Sequence, residues 1–227
     1  MPDMTINTVL FDLDGTLVDS SIGFILAMNK TLADYDQCPM DDDSIRELIS
    51  AGARTIIQRA WAEEISREQI EQIRDDYIRE YQQYPERGAS VYPGLPEWLN
   101  RARQHGIKLG VVTNKPECLA KPIIESLELS QYLDVLICPD HVKTVKPDPE
   151  GILLAINQLK SDPAQTLYCG DHSKDIAAAA AAGVRSLACG YGFYPREEDF
   201  HDWPADYHAD NSEHAVNILT QLCNMSD

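Results

Sequence analysis

No two of the six cysteines, at positions 38, 118, 138, 169, 189 and 223, form a C-x-x-C pair, so the sequence offers no zinc module of that spacing. Several lie in apolar runs, Leu136-Ile137-Cys138 and Tyr168-Cys169 among them, where a free thiol behaves as a small hydrophobe. Reduced thiols in a cytoplasmic protein are the expectation. Positive charge is equally scarce. The 19 Lys and Arg stand against 37 Asp and Glu, a formal net charge of −18, which argues against a nucleic-acid partner. No basic segment followed by an apolar one opens the chain, and no run reaches membrane-spanning length, so a membrane partner is not expected either. An acidic shell also repels phosphorylated small molecules unless local cations or a metal offset it.

What is present is alternation. The 227 residues, 44% of them hydrophobic, suffice for one large domain or one domain with a modest insertion. Short apolar runs at 8–11, 107–112, 133–138, 166–169 and 184–189 are separated by helical stretches, the mark of parallel strands buried on both faces. Asp148-Pro149 reads as an N-cap with proline at the first helical position. Pro93-Gly94 introduces Leu95, Trp98, Leu99 and Ala102 at helical spacing. The predicted fold class is α/β, a Rossmann-like doubly wound parallel sheet with an inserted helical cap.

The insertion is the block that breaks the alternation. Residues 20–88 hold no good strand. Ser66 and Gln69 form a capping box there, followed by Ile70, Ile73, Tyr77, Tyr81 and Tyr84 at helical spacing. The expected division is a core of residues 1–18 and 89–227 and a cap of residues 19–88 over the carboxyl edge of the sheet, where open α/β sheets bind ligands. No internal repeat or low-complexity linker appears, apart from an Ala-rich helix at 177–182.

Four motifs carry chemistry. The first strand runs into Asp12-Leu13-Asp14-Gly15-Thr16, two carboxylates and a glycine that lets the chain turn. One carboxylate can attack phosphorus and hold a cation, while the other donates a proton to the leaving oxygen. A polar Asp-Gly turn is the plain alternative. The second motif, Val112-Thr113-Asn114-Lys115-Pro116, ends a buried strand in a hydroxyl and an amide, suited to phosphate oxygens or to capping the next helix. The third, Lys146-Pro147-Asp148-Pro149, sets one lysine in a rigid context, although a lone lysine is more often solvated. The fourth, Gly170-Asp171-His172-Ser173-Lys174-Asp175, ends a strand at one acid and puts another in the first helical turn, where the helix dipole alone would favour it. Asp12, Asp14 and Asp171 belong to strand ends of one sheet and would form a hard oxygen site of the kind magnesium prefers.

Taken in order, these four motifs resemble the haloacid dehalogenase superfamily: Asp12-x-Asp14-Gly15-Thr16, Thr113-Asn114, Lys146-Pro147 and Gly170-Asp171-x-x-x-Asp175. The resemblance spans nearly the whole chain. It implies a magnesium-dependent phosphoric monoester hydrolase with Asp12 as nucleophile and Asp14 as general acid, then base. It further implies that Thr113, with Asn114 beside it, holds the phosphoryl group while Lys146 offsets its charge. The metal would be held by Asp12, the backbone carbonyl of Asp14, and Asp171, and Asp175 would orient Lys146 or a metal-bound water. Dehalogenases lack the second acid, so Asp14 favours phosphoryl chemistry.

The general pattern is similar to the phosphoglycolate phosphatase group. Cys138-Pro139-Asp140-His141-Val142-Lys143 and the stretch from Gly190 to Asp206 resemble the N-acetylmuramic acid 6-phosphate phosphatases instead. The expected partner is therefore a small phosphorylated metabolite, first the amino-sugar phosphate, then phosphoglycolate. Arg54, after the small turn Ser50-Ala51-Gly52-Ala53, is a candidate for a substrate carboxylate or else an exposed helix-start arginine. His172 reads as a bystander. Two rivals share parts of the pattern. A receiver domain uses clustered acids with Thr and Lys but is about half this length and has no cap. A sugar phosphomutase shares all four motifs and would return the phosphoryl group to a bound sugar.

Overall fold

Thr8–Phe11 forms β1, and all four of its residues are buried, as a strand flanked on both edges and both faces must be. The structure is a computed structural model and describes residues 5–49, 52–61, 65–195 and 197–225. In chain order β1 is followed by β2 (Val18–Asp19) and four helices, α1 (Ser21–Asp34), α2 (Asp42–Leu48), α3 (Ala53–Ala60) and α4 (Arg67–Gln82). Then come β3 (Ser90–Val91), α5 (Leu95–Gln104), β4 (Lys108–Val112), α6 (Glu117–Ser126), β5 (Val135–Ile137) and α7 (Glu150–Leu159). The chain continues through β6 (Thr166–Gly170), α8 (Ser173–Ala182), β7 (Arg185–Cys189), β8 (Tyr207–Ala209) and α9 (Ser212–Leu222).

Among the described residues the main sheet holds six strands in the order β5-β4-β1-β6-β7-β8, all parallel. This is the α/β Rossmann-like architecture, and β1 sits where the winding reverses, between β4 and β6. Phe11 is level with Val111 on one side and Cys169 on the other, so the residues that follow these three strands emerge together at one edge. On one face Leu10, Val112, Ile137, Ile152, Ile156 and Tyr168 build a continuous core. Phe11 meets Trp98 edge to face at 6.1 Å.

The chain divides into two compact units. One comprises Met1–Asp19, Ser90–Gly192 and Asp199–Asp227; the other comprises Ser20–Ala89 and Phe193–Glu198. The first is left and re-entered through the antiparallel pair of β2 and β3, Val18 opposite Val91. The second is helical. Ser66 and Gln69 make the capping box of α4, and Ile70, Ile73, Tyr77 and Tyr81 bury one stripe of that helix, with Phe24 stacked on Tyr81 at 4.4 Å. Tyr84 lies beyond the end of α4 and is exposed, so it ends the stripe one turn earlier than its spacing suggests.

Three further details differ from expectation. Residues 193–198 associate with the helical unit rather than the core, and there Arg46 lies over the Phe193 ring at 4.9 Å. Helix α7 begins at Glu150 with Pro149 as its N-cap residue, because Asp148 reaches past the proline and accepts the Glu150 N–H at 2.9 Å. Strand β8, only three residues long at the sheet edge, has no apolar run to announce it.

Candidate active site

Asp12 directly follows β1, and its backbone N–H continues the ladder by donating to the carbonyl of Cys169 at 2.8 Å. Its Oδ1 accepts from the Leu13 N–H at 2.8 Å and pairs with Lys146 Nζ at 2.9 Å. Both contacts converge on one oxygen, and among the described residues no donor reaches Oδ2. The carboxylate is held at one end and open at the other.

Lys146 is buried and its ammonium is saturated. Its three N–H bonds have three acceptors: Asp12 Oδ1, Asp175 Oδ1 at 2.7 Å and the Tyr168 hydroxyl at 2.9 Å. The Tyr168 O–H donates to the Val112 carbonyl at 2.7 Å, which fixes the hydroxyl oxygen as an acceptor toward the lysine. Burial works to lower the Lys146 pKa, but Asp12 and Asp175 outweigh it and hold the ammonium above the usual lysine range. With every donor engaged, Lys146 acts on a ligand through its field as much as by direct contact.

One ammonium cannot neutralise two carboxylates, and Asp12 shows the deficit. Burial pushes its carboxyl up to about 6 against the pull of Lys146, with Asp175 and Asp14 adding to the rise. Burial likewise raises Tyr168 well above the ordinary phenol, with Asp175 and Asp12 contributing, so it stays a neutral hydroxyl.

Asp171, at the end of β6, is 1% exposed and accepts the Thr16 hydroxyl at 2.9 Å. Two glycines press on it. A Cβ at Gly15 would lie 2.1 Å from Asp171 Oδ2, and one at Gly192 would lie 2.2 Å from Asp171 Cβ and 2.4 Å from the Gly15 carbonyl oxygen. Gly15 also needs its φ of 83° to turn the chain after Asp14. Gly192→Ala is expected to displace Asp171 and to weaken binding of a divalent cation by at least about tenfold, measured by calorimetric titration. Unchanged affinity would show that Asp171 tolerates the shift.

Asp12, Asp171 and Asp175 each bring a carboxylate oxygen within 4.8 Å of the others. They are three hard donors of which Asp12 and Asp175 share the Lys146 ammonium, so the cluster carries an excess of negative charge when all are ionised. A hard divalent cation suits that donor set and offsets that charge.

The remaining predicted residues fall into place unevenly. Asp175 contacts Lys146 as expected and also accepts the His172 N–H at 3.0 Å, while His172 Nδ1 accepts from the Lys174 N–H at 3.1 Å. His172 is therefore the N-cap of α8, a structural role that its reading as a bystander to the chemistry did not include. Thr113 is buried after β4 and its hydroxyl oxygen accepts the Lys115 N–H at 3.1 Å. Asn114, expected beside Thr113 at the phosphate oxygens, directs its side-chain amide to the Lys146 backbone, accepting its N–H and donating to its carbonyl, each at 3.1 Å. It ties the loop bearing Lys146 to the end of β4.

Arg54, in the helical unit, makes a two-point pair with Glu71 at 2.5 and 2.9 Å, and Glu71 also holds Arg74. Its guanidinium is committed within its own unit, and Arg54→Ala is expected to leave kcat/KM within about twofold. A larger loss would restore the substrate contact. Of the small turn before it, Ser50 and Ala51 lie outside the described residues.

Sequence reasoning passed over two residues. Lys115 is 4% exposed at its side chain and places Nζ 3.1 Å from both oxygens of Asp14. Burial lowers its pKa from the lysine range, with Asp14 opposing. The available signal was its place just after a strand end, before proline. Tyr168 looks in the sequence like any strand residue, and no spacing rule reveals a hydroxyl that supports a lysine 22 residues away.

Comparison with known proteins agrees with this geometry. The model of the haloacid dehalogenase-like hydrolase family matches residues 9–189. The N-acetylmuramic acid 6-phosphate phosphatase of Pseudomonas aeruginosa is 36% identical over 98% of this chain and 99% of its own. The phosphoglycolate phosphatase of Rhodospirillum rubrum is 37% identical over 83% of this chain and 81% of its own. The crystal structure of a predicted phosphoglycolate phosphatase from Haemophilus somnus superposes with a TM-score of 0.81 at 26% identity, covering 94% of this chain and 97% of that one. The chain belongs to the haloacid dehalogenase-like hydrolases and, within them, to the phosphoric monoester hydrolases.

Proposed function

We propose that this phosphatase hydrolyses N-acetylmuramic acid 6-phosphate through an aspartyl-phosphate on Asp12, with magnesium as cofactor. Similarity along 98% of the chain to the Pseudomonas aeruginosa enzyme of that name carries the choice of substrate. The grouping of Asp12, Asp171, Asp175 and Lys146 supports the chemistry.

In this reading the Asp12 carboxylate attacks phosphorus as the bond to the sugar oxygen breaks, and Asp14 gives that oxygen a proton. Asp14, now a carboxylate, takes a proton from water as the water oxygen attacks the same phosphorus, and the bond to Asp12 breaks to release phosphate. Thr113 holds the transferring group, and Lys146, kept in orientation by Asp175 and Tyr168, offsets its charge. Asp12, Asp171 and the backbone carbonyl of Asp14 would hold magnesium, which supplies positive charge to the phosphoryl oxygens when bound. All six thiols are free, which fits a reducing cytoplasm.

A cation on Asp12 competes with its proton. Because burial sets that carboxyl near 6, apparent magnesium affinity is expected to be level above about pH 7. It then weakens as pH falls through 6, by up to about tenfold per unit. Calorimetric titration of magnesium at several pH values checks this, and a flat profile from pH 5 to 8 would remove Asp12 from the ligand set.

Phosphoglycolate is the second reading, supported by the Rhodospirillum rubrum relative. Phosphate release from a panel holding both compounds and common sugar phosphates separates the two. A kcat/KM for the amino-sugar phosphate at least tenfold above every other member is expected. Preference for phosphoglycolate would reverse the choice, and isomerised sugar phosphate without phosphate release would make the protein a mutase.

A further inference from the structure

We propose that Lys115 is the positioning residue for Asp14, its buried ammonium gripping both oxygens of that carboxylate to aim it at the leaving group. The inference rests on the reading of Asp14 as proton donor and extends it to a residue of the second motif that has no role in that reading.

Asp14 stands in the turn between β1 and β2, where its backbone is already settled. It bridges to Val18, and the next N–H, that of Gly15, donates to the Val18 carbonyl at 2.8 Å. What stays open is the rotation of its side chain, which is 17% exposed. Equal contacts of 3.1 Å from one Nζ to Oδ1 and Oδ2 limit that rotation. Lys115 is itself well anchored. Its backbone N–H donates to Thr113 Oγ1, Pro116 follows it, and its side chain is 4% exposed.

The two lysines of the site divide the carboxylates between them. Lys146 has all three donors on Asp12, Asp175 and Tyr168. An ammonium this deeply buried costs desolvation, and a purely solvating lysine has no reason to bear it. Positioning of a proton donor is a function that matches the cost, since a small displacement of a catalytic group slows reaction steeply.

The distinguishing property is the leaving group. An alkyl or sugar oxygen needs a proton to depart, whereas p-nitrophenolate leaves without one. Because kcat/KM covers only the steps through transfer to Asp12, it isolates the donor step from later hydrolysis. Lys115→Met and Lys115→Gln, assayed with magnesium, are expected to lower kcat/KM for the best sugar phosphate of the panel by about 10²-fold. The loss on p-nitrophenyl phosphate should be at least tenfold smaller. The comparison is a ratio within one preparation, so any unfolded fraction cancels, and Lys115→Gln supplies it should Lys115→Met fail to fold.

Asp14→Asn is assayed beside them. If Asp14→Asn separates the two esters and both Lys115 variants lose equally on them, the proposal is overturned and Lys115 is a structural pair or a phosphoryl contact. If Asp14→Asn itself shows no separation, the reading of Asp14 as donor fails first, and this inference with it.

Discussion

Asp12→Asn is expected to lower kcat by about 10⁴-fold or more while leaving the fold intact, because the amide cannot form the proposed aspartyl-phosphate. Without added metal the variant should also be the more stable protein at pH 8. The sign follows from the Asp12 carboxyl, which burial raises from 3.8 to about 6 in the folded chain. The folded state then binds that proton more tightly than the unfolded state, so the buried charge destabilises it fully above about pH 6. Below about pH 4 both states are protonated and the penalty vanishes. The Tm difference between variant and wild type, measured with chelator present, should therefore be positive at pH 8 and close to zero near pH 4. Lys146 keeps Asp175 and Tyr168 in the variant, so its ammonium is not stranded. A variant that melts lower than wild type at pH 8 would show that the pair with Lys146 outweighs the burial of Asp12.

Lys146→Met is expected to cost both activity and stability. It removes the ammonium shared by Asp12 and Asp175, leaving one buried and one partly buried carboxylate without their common partner. Breaking a buried pair from one side typically costs about 3–5 kcal/mol, on the order of a 10 °C fall in Tm for a chain of this size. Activity should fall by about 10³-fold through loss of charge at the phosphoryl group and misplacement of Asp12. Acid is expected to narrow the stability gap, since protonating Asp12, whose carboxyl burial already raises, removes part of the uncompensated charge. A stable but inactive variant would assign Lys146 to catalysis alone, and an unstable but active one to structure alone.

The parallel sheet was legible because buried strands must be apolar throughout. β1, β4, β6 and β7 fall within about a residue of the runs that announce them. β8 escaped because Tyr207–Ala209 lies at the sheet edge and mixes polar with apolar residues, and the two-residue pair of β2 and β3 is too short to leave a pattern. Asp12 and Asp171 come together because register places them after neighbouring strands, whereas the Asp14 carboxylate expected with them pairs with Lys115 and Asp175 completes the cluster. What no local pattern carries is the partner of a long side chain. Asn114 could as well have met a phosphate as the Lys146 backbone, and the pair of Lys115 with Asp14 joins residues 101 positions apart. Arg54 shows the same limit, since no spacing rule announces its pair with Glu71 on another helix.

The most direct test of the account is acid quenching of single-turnover reactions with N-acetylmuramic acid 6-phosphate and magnesium, followed by mass analysis of the peptide containing Asp12. The account predicts one phosphoryl group on Asp12, formed and lost at least as fast as turnover, and absent from Asp12→Asn. Phosphate release by Asp12→Asn at a rate near that of wild type, with no phosphorylated peptide at any time point, would contradict it.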